Sequence, residues 1–210
     1  MFLRFLSTCC VFFLCQGETT KYALLGKKVH LSTNIQPFPD EILWKHNGNK
    51  VIEFNGNKED VYGSYKGRVT LDWISADLNI SDVRFEDSGA YELELFINQK
   101  MHYINYNLQV IDKVTRPSIS CERIPANGSS ESGYQATLTC SAESKQSQSL
   151  LKFNWGPNGN MQLGPKLVIP LGNEHDAQVY DCTVSNPLSK ESETFTAKEC
   201  YPGKTLTLCV

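Results

Sequence analysis

The sequence predicts an all-β chain folded as two tandem antiparallel sandwiches, and three observations lead to that prediction. Short apolar runs alternate with polar residues and are separated by turn residues along the chain. At about 150 residues per domain, a length of 210 residues allows one or two domains. The eight cysteines are divided unevenly, with three in the first 17 residues, none from 16 to 120, and five after that. This division indicates that the two halves are held together differently.

Composition excludes several classes of function. The chain has 20 basic and 23 acidic residues and a net charge of −3, so it carries no basic excess for nucleic acid. Its four histidines are scattered without metal-ligand spacing, and no Gly-x-Ser-x-Gly or His-Glu-x-x-His motif occurs. We therefore expect no enzyme, no metal or other cofactor, no small-molecule substrate and no nucleic-acid partner.

Residues 1–17 have the pattern of a secretory signal peptide. Arg4 precedes an apolar run over residues 5–14, and Cys15-Gln16-Gly17 provides small residues for cleavage. Cleavage removes three of the eight cysteines and leaves five in an oxidising compartment, where disulfides are expected. No later segment reaches the roughly 18–20 apolar residues of a membrane span. We expect an extracellular protein, either held on the cell surface by an anchor that would follow Val210 or secreted.

Residues 18–113 predict one sandwich of eight or nine short strands. Asn47-Gly48 between two apolar runs is a strong hairpin signal. Only residues 81–87 have a helical pattern, and for one turn at most. The apolar runs are residues 29–31, 42–44, 51–54, 69–71, 78–80, 91–97 and 103–110.

Residues 114–200 repeat the pattern with fewer strands, and residues 201–210 form a tail. Turns are indicated at residues 147–149 and 156–159. The connection over residues 111–117 has no glycine or serine tract, so we expect it to be short and fairly stiff. The runs of this half are residues 119–121, 136–142, 150–155, 167–169, 180–184 and 194–197.

Four residues of the second half identify the type of sandwich. Cys140 and Cys182 are 42 residues apart, Trp155 lies 15 residues after the first, and Tyr180 lies two before the second. This is the immunoglobulin spacing, in which a cystine bridges the sheets and a tryptophan packs on it. The corner tyrosine donates its hydroxyl to the upstream backbone in such domains. We expect a constant-like immunoglobulin domain with a Cys140–Cys182 disulfide.

The remaining cysteines of this half allow a second bridge. Cys121 and Cys200 bracket the domain and would join its first and last strands, closing a loop of 79 residues. By the chain-entropy relation, such a loop stabilises by about 4 kcal/mol. Cys209 is the odd member, and three roles stay open for it: a free thiol, an intermolecular bridge, or part of a removed or missing anchor segment.

The first half has the same immunoglobulin pattern but lacks the two cysteines. Residues 87–91 read Asp-Ser-Gly-Ala-Tyr, which is the corner motif, and Trp44 is the expected core tryptophan. Leu31 and Leu93 occupy the positions where the cysteines would lie, so leucine packing replaces the disulfide in a variable-like domain. Arg68 is placed to pair with Asp87 at the base of the sandwich.

This combination resembles the leukocyte adhesion immunoglobulin family that includes the sheep-erythrocyte receptor of T cells and the signalling lymphocytic activation molecule (SLAM) family. Its members have a membrane-distal variable-like domain without the inter-sheet disulfide, then a truncated constant-like domain with an extra one. The resemblance covers essentially residues 22–202. The segments that carry it are Glu41-Ile42-Leu43-Trp44-Lys45, Asn49-Lys50-Val51, Tyr65-Lys66-Gly67-Arg68-Val69, Leu71-Asp72 and Ser185-Asn186-Pro187-Leu188.

The resemblance implies a ligand that binds an immunoglobulin-family receptor on an opposing T or natural killer cell, promoting adhesion and costimulation. The binding surface would be the outward face of the sheet built from the third, fourth, sixth and last strands. The matching positions are Lys45, Lys50, Glu53, Tyr62, Glu92 and Glu94.

Strand alternation supports the same face independently. Because Trp44, Tyr91 and Leu93 point inward, Lys45, Glu92 and Glu94 point outward. The alternative is that these are solvated surface charges, and the concentration of both signs on one sheet favours a site. A second role also stays open, a secreted decoy or modulator of the same receptor, and the sequence beyond Val210 would separate the two.

Two sequons predict N-linked glycans. They are Asn79-Ile80-Ser81 and Asn127-Gly128-Ser129. Because Leu78 and Ile80 are expected to face the core, Asn79 projects from the opposite sheet. A glycan there would leave the binding face open.

Overall fold

The structure is a computed structural model that describes residues 20–33, 35, 38–124, 134–145, 148–156 and 161–201. The expected signal peptide, the sequon at Asn127, Cys209 and the tail beyond residue 201 lie outside these residues. The described residues form sixteen β-strands and four short 3-10 helices, with no α-helix among them. The all-β prediction is confirmed.

Nine of the described strands make up the first sandwich. They are β1 (Thr20–Leu24), β2 (Val29–Leu31), β3 (Glu41–His46), β4 (Asn49–Phe54), β5 (Glu59–Val61), β6 (Val69–Leu71), β7 (Leu78–Ile80), β8 (Gly89–Ile97) and β9 (Lys100–Ile111). One sheet has six strands in the order β1-β9-β8-β3-β4-β5, and the other has three in the order β2-β7-β6. Only β1 and β9 pair in parallel among these described strands. The 3-10 turns are Gly63–Tyr65 and Phe85–Asp87.

Seven strands, all antiparallel, form the part of the second sandwich that the structure describes. They are β10 (Ser118–Ile124), β11 (Gln135–Ser141), β12 (Lys152–Gly156), β13 (Gln162–Leu163), β14 (Lys166–Pro170), β15 (Val179–Asn186) and β16 (Ser189–Thr196). One sheet has the order β10-β11-β14 and the other the order β13-β12-β15-β16. The remaining 3-10 turns are Gln148–Leu150 and Ala197–Cys200. Two tandem immunoglobulin-like sandwiches are therefore confirmed.

Leucine packing holds the two sheets of the first sandwich together. Leu31 of β2 and Leu93 of β8 lie on opposite sheets, and both side chains are fully buried in one apolar core. Trp44 is equally buried, and its indole Nε1 donates to the carbonyl oxygen of Ala76 at 2.9 Å. The indole thus fills the core without leaving its polar group unpaired.

Disulfides link the elements of the second sandwich. Cys140 of β11 is bonded to Cys182 of β15, and Cys121 of β10 to Cys200 of the last 3-10 turn. Trp155 is paired in register with Cys182 and is 1% exposed. The first bridge joins the two sheets, and the second ties the beginning of the domain to its end.

The prediction for Tyr180 is wrong in one respect. Its hydroxyl donates to the side-chain oxygen Oε1 of Gln178 at 2.7 Å, whereas the immunoglobulin pattern predicts a backbone acceptor. Residues two apart in an extended chain point to the same side, which brings the Gln178 amide within reach. The first sandwich has the expected corner, since the Tyr91 hydroxyl donates to the Asp87 carbonyl oxygen at 3.0 Å.

A buried ion pair closes the base of the first sandwich. The two terminal nitrogens of Arg68 donate to both carboxylate oxygens of Asp87 at 2.9 and 3.0 Å. Asp87 also accepts from the Arg84 amide at 2.8 Å and is 1% exposed. Burial of Asp87 opposes its ionisation, but the hydrogen bonds from Arg68 and Arg84 outweigh this effect and lower its pKa.

Hydrogen bonds attach the connection between the sandwiches to the second one. Asp112 accepts from the Ser144 hydroxyl at 2.9 Å and from the Lys145 amide at 2.8 Å. Its own carbonyl oxygen accepts from the Asn186 side chain at 2.9 Å. Two residues later, the Val114 amide donates to the Ser189 hydroxyl at 2.9 Å. The chain therefore leaves β9 directly into contacts with the second sandwich.

Candidate functional site

The six-stranded sheet positions the candidate site on its outward face. Register places Lys45 of β3 opposite Glu92 of β8, and Leu43 lies between Glu94 on one side and Glu53 on the other. The strand that carries Glu92 and Glu94 is the eighth of nine. The sixth strand, β6, lies in the three-stranded sheet, so the expectation that a sixth strand contributes to this face is wrong.

Lys45 is the centre of one charged network. Its ammonium group donates to Glu94 and lies 3.6 Å from a carboxylate oxygen of Glu92. The hydrogen bond to Glu94 is the main cause of the raised pKa of Lys45. All three side chains keep part of their surface exposed. The carboxylates therefore hold this lysine charged and directed along the face.

Glu53 is the centre of the neighbouring network. It accepts from the Lys50 ammonium group and from the Tyr62 hydroxyl. These two hydrogen bonds lower the pKa of Glu53. The Lys50 nitrogen also lies 5.5 Å from the centroid of the Tyr62 ring. Since Lys45 and Lys50 are register partners, the six residues expected at the face form two adjacent networks on one surface.

The same face has an apolar part that the sequence reasoning missed. Leu43 and Phe96 are half-buried, while Met101 is 47% exposed and Tyr103 is 59% exposed. A shallow depression of about 130 Å³ lies among Leu43, Phe96, Met101 and their neighbours. The alternation that places Lys45 and Glu94 outward continues to Leu43 and Phe96, so the signal for these residues was present in the sequence.

Asn79 lies on the other sheet. It is in β7, the central strand of the order β2-β7-β6, between Leu78 and Ile80, which are fully buried. Its side-chain oxygen is 3.0 Å from Nδ1 of His30. The sequon asparagine is thus on the sheet opposite the charged networks.

Within residues 20–201, apart from the gaps stated above, no group of three or more His, Cys, Asp or Glu side chains could hold a metal ion. In the same described ranges, no helix has the length and apolar character required to cross a membrane.

Comparison with known proteins shows relatives among leukocyte surface proteins, although no family model matches the chain. Mouse SLAM family member 5 is 29% identical over 184 residues, which cover 84% of this chain and 54% of that protein. Human lymphocyte function-associated antigen 3 is 28% identical over 165 residues, covering 78% of this chain and 62% of that protein. The chain therefore spans only about half to three fifths of these relatives.

Solved structures agree on the fold. The crystal structure of the CD2-binding domain of CD58, which is lymphocyte function-associated antigen 3, has a TM-score of 0.65 at 20% identity, covering 84% of this chain and 95% of that one. Murine CEACAM1b has a TM-score of 0.62 at 23% identity, covering 83% of this chain and 94% of that one. The resemblance to the leukocyte adhesion immunoglobulin family is confirmed, and the chain is similar to non-enzymatic immunoglobulin-type proteins.

Proposed function

We propose that this chain, a relative of the SLAM family proteins and of lymphocyte function-associated antigen 3, is a cell-surface adhesion ligand. It binds an immunoglobulin-family receptor on an opposing T or natural killer cell and so promotes adhesion and costimulation. The contact is made by the outward face of the six-stranded sheet. The observation that supports this proposal is the concentration of Lys45, Lys50, Glu53, Tyr62, Glu92 and Glu94 in two adjacent networks there.

The networks suit recognition that is specific but weak. Each lysine already has a carboxylate partner on the same face, so a receptor gains only the difference between its own contacts and these. Charged pairs across an interface guide encounter and select the partner more than they raise affinity. Many such bonds between two cell surfaces act together through high effective concentration. Single contacts can then release while the adhesion persists.

Charge reversal on the face tests this function. Beads displaying the mature chain are added to T cells, to natural killer cells, and to surfaces carrying the CD2, CD48 or SLAM family member 5 ectodomain. We expect the wild type to bind at least one of these targets. Lys45→Glu and Glu53→Arg should each reduce binding about tenfold or more. Each variant places the new charge beside neighbours of the same sign and reverses the charge that the receptor meets at that position.

Matched variants control for charge alone. Lys152→Glu and Glu174→Arg make the same changes at exposed positions of the second sandwich and should bind as the wild type does. Unchanged binding by Lys45→Glu and Glu53→Arg would exclude this face. No binding by the multimerised wild type to any target would exclude the adhesion function itself.

Removing the glycan site provides a separate check on which sheet faces the receptor. We expect Asn79→Gln to lose one N-linked glycan, seen as a mass decrease, and to keep wild-type bead binding within about twofold. The reason is that β7 lies in the sheet opposite the charged networks. A large loss of bead binding by folded Asn79→Gln would contradict the assignment of the binding face.

A further inference from the structure

The charged networks share their face with a shallow depression at the start of β3 and the end of β8. We call it the β3–β8 depression and define it by Glu41, Leu43, Glu53, Glu94, Phe96 and Met101. We propose that the β3–β8 depression receives one arginine side chain of the receptor. The inference rests on the proposed function and names the chemistry of one contact within it.

The floor of the depression is apolar although it lies on an outward face. Register puts Phe96 opposite both Glu41 of β3 and Met101 of β9, and Leu43 lies beside Glu94 in the next row. Leu43 and Phe96 are half-buried and Met101 is exposed, so these groups remain in contact with water. Interface energy concentrates where apolar groups form a pocket, with charged contacts around it. A partner that covers this part of the face therefore buries more apolar surface than one that covers the paired charges.

The charge of the depression selects a cation. Among the described residues that line it, three carry carboxylates, Glu41, Glu53 and Glu94, and none carries a basic side chain. Glu53 is paired with Lys50 and Glu94 with Lys45. Glu41 is exposed and forms no ion pair with any described residue. An occupant that covers the apolar floor thus meets an unneutralised carboxylate at the rim.

Size and shape select arginine among cations. A volume of about 130 Å³ holds a single side chain, well below the roughly 300–1,000 Å³ of sites for drug-sized ligands. An arginine stem is apolar, and its planar guanidinium group stacks on aromatic faces such as that of Phe96 while donating to a carboxylate. A lysine ammonium group is more strongly hydrated and offers no plane to stack.

The test uses small probes and does not require the receptor. The ¹⁵N-labelled mature chain is titrated with N-acetyl-argininamide, N-acetyl-lysinamide and N-acetyl-leucinamide at equal ionic strength. We expect the arginine probe to give the largest amide shifts, centred on Glu41, Leu43, Phe96 and Met101. Equal shifts with all three probes, or arginine shifts centred outside these residues, would overturn the proposal.

Three variants sharpen the assignment. Glu41→Gln should weaken the arginine probe about threefold, which is the size of one exposed ion pair, and Phe96→Leu should remove the preference for arginine over lysine while keeping the floor apolar. Glu174→Gln, which removes an exposed carboxylate of the second sandwich, should titrate as the wild type does. Wild-type titration by Glu41→Gln would also overturn the proposal. Because the bead experiment is separate, arginine shifts without bead binding would reject the adhesion function and leave the depression as an arginine site.

Discussion

Arg68→Met should lower the free energy of unfolding of the first sandwich by about 3–5 kcal/mol, the cost of leaving a buried charge without its partner. The carboxylate of Asp87 is 1% exposed and loses both of its side-chain hydrogen bonds from Arg68 in this variant. Urea unfolding followed through the methyl signals of Leu31 and Leu93 measures the change for this sandwich alone. The effect should be seen at neutral pH, where Asp87 is ionised.

Arg84→Met is the matched control. Arg84 is 45% exposed and lies 3.4 Å from Glu86, so its ion pair is on the surface. Such pairs contribute at most about 1 kcal/mol. Equal losses in the two variants would show that Arg68 acts only as a surface residue.

Acid should remove the contribution of the Arg68–Asp87 pair. The folded pKa of Asp87 is lowered, so its ionised form is favoured by folding. This contribution is fully present above the unfolded value of about 3.9 and is lost as the pH falls through the lower folded value. Unfolding measured from pH 7 to pH 2 should show the difference between wild type and Arg68→Met shrinking as the pH falls. The decrease begins where the buried, unpartnered Asp87 of the variant takes up its proton, which burial favours, and ends at the lowered folded pKa of the wild type. Parallel curves would contradict this linkage.

Reduction of the disulfides should destabilise the second sandwich and leave the first almost unchanged. The bridges close loops of 79 and 42 residues. By the chain-entropy relation, each loop contributes about 4 kcal/mol. A small domain has only about 5–15 kcal/mol of stability in total. The reduced second sandwich should therefore unfold at a much lower urea concentration, or without urea.

Nuclear magnetic resonance with a phosphine reductant measures this in the intact chain. Leu138 and Val184 report on the second core, and Leu31 and Leu93 on the first. The first core contains no cysteine among its residues and serves as the internal control. A similar loss of stability in both cores would contradict the assignment of leucine packing to one and sulfur to the other.

The fold could be predicted from sequence because its strongest signals are periodic or have fixed spacing. Cys140, Trp155 and Cys182 mark one core by their spacing, and Leu31 and Leu93 mark the other by alternation and position. The strands that escaped prediction are β1, β5 and β13, which are short edge strands of their sheets. Strands β5 and β13 read Glu-Asp-Val and Gln-Leu and contain too few apolar residues to show a pattern, whereas β1 contains the apolar run Tyr22-Ala23-Leu24, which sequence reasoning missed.

The candidate site was predictable as a face and unpredictable as a set of contacts. Alternation places Lys45, Glu92 and Glu94 outward, but it cannot say which carboxylate Lys45 contacts across a strand. Tyr180 is a second example of a contact that the sequence pattern does not predict, because its hydroxyl donates to the nearby Gln178 side chain. The β3–β8 depression depends on how neighbouring strands are aligned, which no single strand's sequence contains.

The Cys121–Cys200 bridge has a mechanical consequence. It joins β10 to the last turn of the second sandwich, so the residues between them form a covalently closed loop of 79 residues. When the chain on either side of that sandwich is pulled, the Cys121–Cys200 disulfide bond carries the force. The 79-residue loop that it closes therefore cannot be extended. The first sandwich has a mixed apolar core and no crosslink among its described residues, so no covalent bond carries the force past it. Tension along the chain would therefore lengthen the first sandwich while the second transmits force at nearly constant length.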